Sequence, residues 1–338
     1  ADGASNIYQT NPGASGNTIV AIVDDAVMTT HEDLTANIFS LNRDVADLDN
    51  DPNPPFSGAA ATNGTRFSHG THVAGIAGAE TNNLIPTGVA SVGWSNYIMG
   101  IKTRKSNDPG NGLPFAWDGV VWAIANNARV INMSWGGAPA SITEYNILLT
   151  AQSQDIVLVA AAGNSGMGTA FYPAAYGEGA TGQSWEVYDR TLVISVAALD
   201  ANNDRSVWTG GFGTPGSNFG AWVDIAAYGT AIRSSISNSS FGSPIINQYA
   251  DYDGTSMAAP MVSGVAGIMR SYNSTATAVD IYNCLVYSAN IDIYGSAHPN
   301  NILGTFGYGR FYAEASLHCL GVPCSNIPIA VIIPSSIN

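Results

Sequence analysis

The stretch DYDGTSMAAPMVSGVAGIM, residues 251–269, places Ser256 directly before a run of small apolar residues. The run predicts a buried helix that begins near residue 256, with Pro260 in its first turn, where a missing N–H costs no intrahelical hydrogen bond. The N–H groups at such a helix start lack intrahelical acceptors and favour negative charge. Ser256 is therefore either an ordinary N-cap or a nucleophile whose oxyanion those N–H groups would hold.

The composition limits the kind of partner that the chain can have. Of its 338 residues, 46% are hydrophobic and only 11% are charged, which is enough apolar material for a large core. The formal net charge of −14 argues against nucleic acid as a partner, because phosphate binding needs basic patches. No apolar run approaches the roughly 20 residues of a membrane span, so no membrane partner is expected.

Short apolar runs alternate with helical patterns along the chain. Strands are predicted at 18–24, 128–135, 155–163 and 191–199, and helices at 70–79, 115–127, 140–154 and 276–288, besides the one from 256. This alternation predicts an α/β fold with a mostly parallel central sheet and helices on both faces. We expect one domain over residues 1–320 and a short tail over residues 321–338.

Three separated segments together carry the residue types of an acyl-transfer site. Asp24 ends the first predicted strand, His69 opens a small-residue helix, and Ser256 lies in G-T-S-M-A-A-P. A serine hydroxyl needs a base, which His69 would supply, while Asp24 would fix the imidazole tautomer. The chain order Asp, His, Ser is one of the known orders of such a catalytic triad.

The motifs H-G-T-H-V-A-G and G-T-S-M-A-A-P, with V-D upstream and A-A-G-N between them, resemble the subtilisin family of serine proteases over about residues 8–318. The resemblance implies a three-layer subtilisin-like fold and a secreted serine endopeptidase that acts through an acyl-enzyme on Ser256. It implies that the oxyanion lies between the Ser256 N–H and the Asn164 side-chain amide. It also implies protein or peptide substrates and an N-terminal propeptide during maturation, so that residue 1 would begin a processed form. By position, it implies that substrate contacts come from Asp25, Ser134, Trp135, Gly136, Ala162, Gly163, Tyr172 and Pro173.

The residues after the predicted catalytic aspartate depart from the family pattern. The run is Asp24-Asp25-Ala26, and its second aspartate resembles the kexin and furin branch, where it helps to favour a basic substrate residue. A solvated turn aspartate is the alternative for Asp25. We expect broad specificity, since S-W-G-G imposes no charge demand; a selective kexin-like processing protease is the alternative. The alternative from another class is a catalytically silent binding protein with the subtilase fold.

Two calcium sites are predicted. Four aspartates lie within residues 44–51, and like charges at this density repel unless a hard cation lies among them. The kexin-like resemblance implies Asp44, Asp49 and Asp51 as ligands, with a flexible acidic loop as the alternative. A second site, common to subtilases, is implied by resemblance at Asp33, Ala79, Asn82, Leu84 and Pro86.

The three cysteines are Cys284, Cys319 and Cys324. Cys319 and Cys324 bracket a short turn and could form a bridge, or either could reach Cys284. The sequence predicts a disulfide and leaves its pairing open.

Overall fold

The computed structural model describes residues 18–55, 67–81, 88–94, 96–108, 110, 112–208, 216–238, 245–299 and 301–320. The strands are β1 (Ile19–Asp24), β2 (Arg43–Asp44), β3 (Tyr97–Lys102), β4 (Val130–Met133), β5 (Val157–Ala161), β6 (Ile194–Leu199), β7 (Ile225–Tyr228), β8 (Ile232–Asn238) and β9 (Ile245–Tyr252). The helices are α1 (His69–Gly78), α2 (Ala116–Ala125), α3 (Ile142–Ser153), α4 (Thr255–Tyr272), α5 (Ala278–Tyr287) and α6 (Ala313–Cys319). Short 3-10 helices occupy Thr35–Asn37 and Ile291–Ile293.

A seven-stranded sheet forms the middle layer, in the order β2-β3-β1-β4-β5-β6-β7. Every neighbouring pair in it is parallel. Because parallel strands need crossover connections, the helices between them are carried onto the two faces of the sheet. The predicted α/β fold with helices on both sides of a mostly parallel sheet is confirmed.

Strand β1 shows why these runs are apolar throughout. Val20 and Ile22 lie in a core cluster with α1, α4 and α5, whereas Ala21 and Val23 lie in a second cluster with α2 and α3. All four residues are fully buried. A strand covered on both faces has no solvent side, so its sequence does not alternate between apolar and polar residues.

Helix α4 begins one residue earlier than predicted, and this changes how Ser256 is understood. The N-cap is Gly254, whose φ of 153° lies in a region that L side chains rarely adopt. Ser256 is thus the second helical residue, and the N-cap alternative for it is wrong. Pro260 is the sixth residue of α4 and has no N–H to donate to Ser256 O, one turn earlier. That carbonyl accepts a hydrogen bond from Ser134 Oγ instead, at 2.9 Å.

An antiparallel hairpin of β8 and β9 lies over the start of α1. Ser234 Oγ donates to His72 O at 2.7 Å, and Ser68 Oγ lies 2.7 Å from the Tyr252 hydroxyl. The His72 ring stacks on Tyr252 with centroids 4.3 Å apart. The hairpin therefore holds both ends of the first helical turn, which carries His69.

A disulfide joins Cys284 of α5 to Cys319 at the end of α6, with Cα atoms 5.5 Å apart. This decides among the pairings that the sequence left open. Cys324 and the predicted tail at 321–338 lie outside the described residues, so the domain boundary stays a prediction. In the described part of the chain, no helix is long and apolar enough to cross a membrane.

Candidate active site

The carboxyl ends of adjacent parallel strands bring the predicted polar residues to one edge of the sheet. Asp24 is the last residue of β1, Ser134 follows β4, and Gly163 and Asn164 lie just beyond β5. These three strands are neighbours in the sheet. Residues that are more than a hundred positions apart therefore line one cleft with the first turns of α1 and α4.

His69 and Asp24 form a hydrogen-bonded pair. His69 Nδ1 lies 2.8 Å from Asp24 Oδ1, which also accepts the Asp25 N–H at 2.7 Å. Asp24 is fully buried, whereas the His69 side chain is 36% exposed. Because Nδ1 is directed at a buried carboxylate, it carries the proton, and Nε2 is the basic nitrogen.

The charges around His69 raise its pKa. Burial alone would lower the pKa of the imidazole, but the Asp24 carboxylate and then the Asp25 carboxylate outweigh it and raise that pKa to about 9. The imidazolium is thus the stabilised form. A base in this environment is strong when it is neutral.

The Ser256 hydroxyl has a partner other than His69 in this structure. Its Oγ donates to Ser134 O at 3.0 Å, and the Ser256 carbonyl accepts from Ser134 Oγ at 2.9 Å. These two bonds fix the start of α4 against the residue that follows β4. For proton transfer to His69, the hydroxyl must rotate away from Ser134 O.

Asn164 is held so that its amide N–H₂ group faces the cleft. Its Oδ1 accepts from both the backbone N–H and the hydroxyl of Thr255, each at 2.9 Å. A β-carbon added to Gly254 would lie 3.5 Å from Asn164 Nδ2 and 3.5 Å from Ser256 N. The two donor nitrogens thus lie near one point beside the serine, as the donors of an oxyanion hole do.

Asp25 lines the cleft, and it is not the solvated turn residue that was the alternative interpretation of the sequence. It is only 7% exposed, and its Oδ1 accepts the N–H groups of Gly70 and Ala26 at 2.8 Å and 2.7 Å. Its Oδ2 accepts the His69 N–H at 3.3 Å. Asp25 therefore caps α1 directly beneath His69, and it is neither a solvated turn residue nor a free carboxylate. Burial and then the Asp24 charge raise the pKa of Asp25 to about 6.

The predicted substrate contacts divide into two groups. Those that line the cleft are Asp25, Ser134, Trp135, Gly136 and Gly163. Trp135 is oriented by a hydrogen bond of 2.7 Å from Nε1 to Val23 O. Ala162, Tyr172 and Pro173 are not among the lining residues, because their side chains are buried; Ala162 and Tyr172 belong to the core, and the Tyr172 ring packs on Tyr176.

The sequence analysis missed several lining residues, among them Phe67, Arg104 and Phe171. The Arg104 guanidinium lies 4.5 Å from the centroid of the Phe67 ring. Phe171 comes directly before the predicted pair Tyr172 and Pro173. The sequence analysis therefore identified the right segment but the wrong side chain. Phe171 faces the cleft, whereas the next residue, Tyr172, had been expected to do so.

The acidic loop does not present Asp44 as a free ligand. Lys102 Nζ is in ion-pair contact with Asp44 Oδ2 and lies 3.0 Å from Asp47 Oδ2. Asp44 Oδ1 accepts the N–H groups of residues 46 and 47. An internal ammonium group thus neutralises the start of the loop, and this disagrees with Asp44 as a calcium ligand. Asp49 and Asp51 are exposed, and each accepts backbone N–H groups within the loop.

The second predicted calcium site is described only in part. Asp33 is fully buried, and its Oδ2 accepts the Val89 N–H at 2.6 Å. The Ala79 carbonyl accepts the Ser91 hydroxyl at 2.8 Å. Asn82, Leu84 and Pro86 lie outside the described residues. Among the residues that the structure describes, no group of three or more His, Cys, Asp or Glu side chains is arranged to hold a metal.

Comparison with known proteins agrees with this geometry. A family profile described as "Subtilase family" matches residues 15–309. The thermophilic serine proteinase of Bacillus sp. strain AK1 is 34% identical over 264 residues, which cover 78% of this chain and 54% of that protein. Subtilisin NAT of Bacillus subtilis subsp. natto is 30% identical over 299 residues, 85% of this chain and 66% of the relative. The chain therefore spans between half and two thirds of the length of these relatives.

Solved structures show the same fold. A protease from Pseudoalteromonas arctica PAMC 21717 superposes with a TM-score of 0.71 and 29% identity, over 91% of both chains. Fervidolysin from Fervidobacterium pennivorans, described as a keratinolytic enzyme related to subtilisin, gives a TM-score of 0.68 and 28% identity. That superposition covers 91% of this chain and 43% of fervidolysin.

Proposed function

This chain belongs to the subtilase family, and from that premise we propose that it is a serine endopeptidase that cleaves peptide bonds through an acyl-enzyme on Ser256. One observation carries the proposal. A His69–Asp24 pair and two oxyanion donors, Ser256 N and Asn164 Nδ2, line one cleft with the Ser256 hydroxyl. A binding protein without activity would not need this donor arrangement.

The reaction follows from the atoms in the cleft. His69 Nε2 takes the Ser256 hydroxyl proton while Oγ attacks the substrate carbonyl carbon. The resulting oxyanion accepts from Ser256 N–H and Asn164 Nδ2, which are already oriented. His69 then gives the proton to the leaving amine, the C–N bond breaks, and an ester remains on Ser256. A water molecule, deprotonated by His69, hydrolyses the ester and restores the hydroxyl.

Substrate binding would also free the nucleophile. Ser134 O accepts the Ser256 hydroxyl in the resting arrangement. An extended peptide that pairs with residues 134–136 as an added strand would offer a backbone N–H to this carbonyl. The hydroxyl would then rotate toward His69 Nε2 as the peptide arrives. Correct backbone pairing would thus be coupled to activation of the serine.

We propose that the enzyme accepts substrate residues of different charge and does not select basic residues as kexin-like proteases do. Among the described residues that line the cleft, the charged side chains are Asp24, Asp25, His69 and Arg104. Asp24 is bonded to His69, and Asp25 accepts backbone N–H groups of α1. A basic substrate residue would therefore meet carboxylates that already have donors, together with the Arg104 cation. This argues against selection of Lys or Arg.

The test is cleavage of a peptide library, with Ser256→Ala as the inactive control. Cleavage at many sequences, absent in the Ser256→Ala variant, would support the proposal. A sharp requirement for Lys or Arg next to the cut would support the kexin-like alternative. No cleavage by folded wild-type protein would support the silent binding protein.

We further propose that the enzyme is secreted and matures by loss of an N-terminal propeptide. The disulfide between the buried residues Cys284 and Cys319 supports secretion, because such bonds persist in oxidising compartments. Family membership supports the propeptide. Expression of the natural gene, followed by N-terminal sequencing of protein from the medium, tests both; protein retained in the cytoplasm would contradict the first.

Calcium is proposed at the site that includes Asp33. A fully buried carboxylate beside the backbone of residues 88 and 89 suits a hard cation with oxygen ligands. A β-carbon added to Gly88 would lie 2.6 Å from Asp33 Oδ1, so the backbone approaches this carboxylate closely. Asp33, Asn82 and the carbonyls of Ala79, Leu84 and Pro86 would hold the ion. Its role would be to stabilise the folded chain.

A further inference from the structure

We propose that the Phe171 ring closes the pocket for the substrate side chain immediately before the scissile bond, so that the enzyme selects small residues such as alanine at this position. The inference rests on the proposed endopeptidase function and names the substrate class within it. It concerns the size of the substrate side chain at one position and not its charge. The proposal that the enzyme accepts residues of different charge therefore still holds at the other substrate positions.

The pocket has two glycine walls, and the Phe171 ring lies between them. One wall is the segment that ends at Gly136, and the other is the turn after β5 that contains Gly163; both line the cleft with Phe171. A β-carbon added to Gly136 would lie 2.8 Å from Phe171 Cδ1 and closer still to Cε1. A β-carbon added to Gly163 would lie 3.0 Å from the same Cδ1. One edge of the ring thus contacts both backbones.

The ring is held in place by the residues that follow it. Tyr172 N donates to Gly137 O at 2.9 Å, and Gly137 N donates to Tyr172 O at 2.7 Å. The Tyr172 ring packs on Tyr176 with centroids 4.7 Å apart. Phe171 itself is half-buried against the core cluster below α2 and α3. The backbone next to the ring is thus held by two hydrogen bonds, and the ring itself packs on the core cluster.

The position of the ring determines what the pocket admits. In the binding mode that we propose, a peptide carbonyl at Ser256 N and Asn164 Nδ2 would direct its own side chain between the segments that contain Gly136 and Gly163, which line the same cleft. Each segment has a glycine where it meets the ring, so no wall side chain enters the pocket there. The Phe171 ring occupies the space that such side chains would take. An alanine methyl group would fit above the ring, whereas a phenyl or isobutyl group would overlap it. Steric differences of this size are typically worth about 10–200-fold in kcat/KM.

The experiment measures kcat/KM for peptides that differ only in the residue before the cut: Ala, Leu or Phe. Wild-type enzyme should prefer Ala over Phe by about tenfold or more. In Phe171→Ala, kcat/KM for the Phe peptide should rise by about tenfold or more, while the value for the Ala peptide should change by less than about threefold. The wild-type series alone decides the first expectation, so the test does not depend on folding of the variant.

Phe219→Ala is the matched control. Phe219 is also a half-buried phenylalanine packed on the same core cluster, but it does not line the cleft. This variant should keep the wild-type order of the three peptides. Equal or faster cleavage of the Phe peptide by wild-type enzyme would overturn the inference while leaving the endopeptidase proposal standing. Absence of cleavage of all three peptides by folded protein would instead refute the endopeptidase proposal.

Discussion

The Asp24–His69 pair predicts an alkaline activity profile that depends on one carboxylate. His69 must be neutral to accept the Ser256 proton, and the neighbouring carboxylates raise its pKa from 6.5 to about 9. Activity should therefore rise with pH, with a midpoint well above 6.5. If the pKa is about 9, only about 1% of His69 is neutral at pH 7, so kcat/KM should increase about tenfold per pH unit between pH 6 and 8.

Replacing Asp24 with Asn should change both the height and the position of this profile. The 2.8 Å contact to Nδ1 would lose its negative charge, and a neutral amide cannot stabilise the imidazolium. We expect kcat to fall by about 10⁴-fold, as is typical of this change in a triad. Burial, which opposes the charged form, should then lower the pKa of His69, so the midpoint should move to lower pH.

The assay is kcat and kcat/KM for one peptide between pH 5 and pH 10.5. Asp204→Asn is the control, because Asp204 pairs with His298 at 3.0 Å and does not line the cleft. A wild-type midpoint at or below 6.5 would refute the electrostatic reasoning. An Asp24→Asn variant that keeps the wild-type midpoint would refute it as well, because the midpoint would then not depend on Asp24.

The raised pKa of His69 should make stability fall over the pH range in which activity rises. A histidine whose pKa is raised in the folded state stabilises the fold fully below its unfolded pKa of 6.5, and this contribution is lost as the pH rises toward 9. Catalytic competence and this part of the stability should therefore change in opposite directions between pH 6.5 and 9. Thermal unfolding of Ser256→Ala over this interval measures the effect without self-digestion.

Three further predictions concern the oxyanion hole, the disulfide and calcium. Asn164→Ala should lower kcat by about 100–1,000-fold with a smaller change in KM, since Nδ2 acts mainly in the transition state; unchanged kcat would contradict this role. Replacing Cys284 and Cys319 together by Ala reopens a span of 35 residues and should cost about 4 kcal/mol in denaturant unfolding. A chelator should lower the melting temperature, because an ion that binds only the folded chain stabilises it by about 2.7 kcal/mol at a hundredfold excess over its dissociation constant. An unchanged melt would contradict calcium binding.

Four of the seven strands of the central sheet, and the triad segments, could be predicted because the relevant signals are local. A strand buried on both faces must be apolar throughout, and β1, β4, β5 and β6 were each found within the predicted runs. The polar residues after these runs meet because parallel strands end at one edge. The hairpin was missed, because β8 reads IRSSISN and owes its place to side-chain bonds with α1 rather than to an apolar pattern.

The finer features of the cleft depend on long-range contacts that spacing does not encode. The alternative interpretation placed Asp25 in solvent, but residue 70 brings an N–H group to within 2.8 Å of its carboxylate. Lys102, 58 residues after Asp44, supplies the cation that the acidic loop was expected to take from solution. The identity of the cleft-facing ring also depended on the backbone pairing of Gly137 with Tyr172, which turns Phe171 inward.

Covalent labelling with a fluorophosphonate, followed by peptide mapping, tests most directly whether the separated segments converge as a nucleophile with its base. The wild-type protein should gain one adduct, on Ser256, and the rate should fall by orders of magnitude in His69→Ala. A folded wild-type chain that stays unlabelled at Ser256, or that is labelled equally fast without the imidazole, would contradict the account.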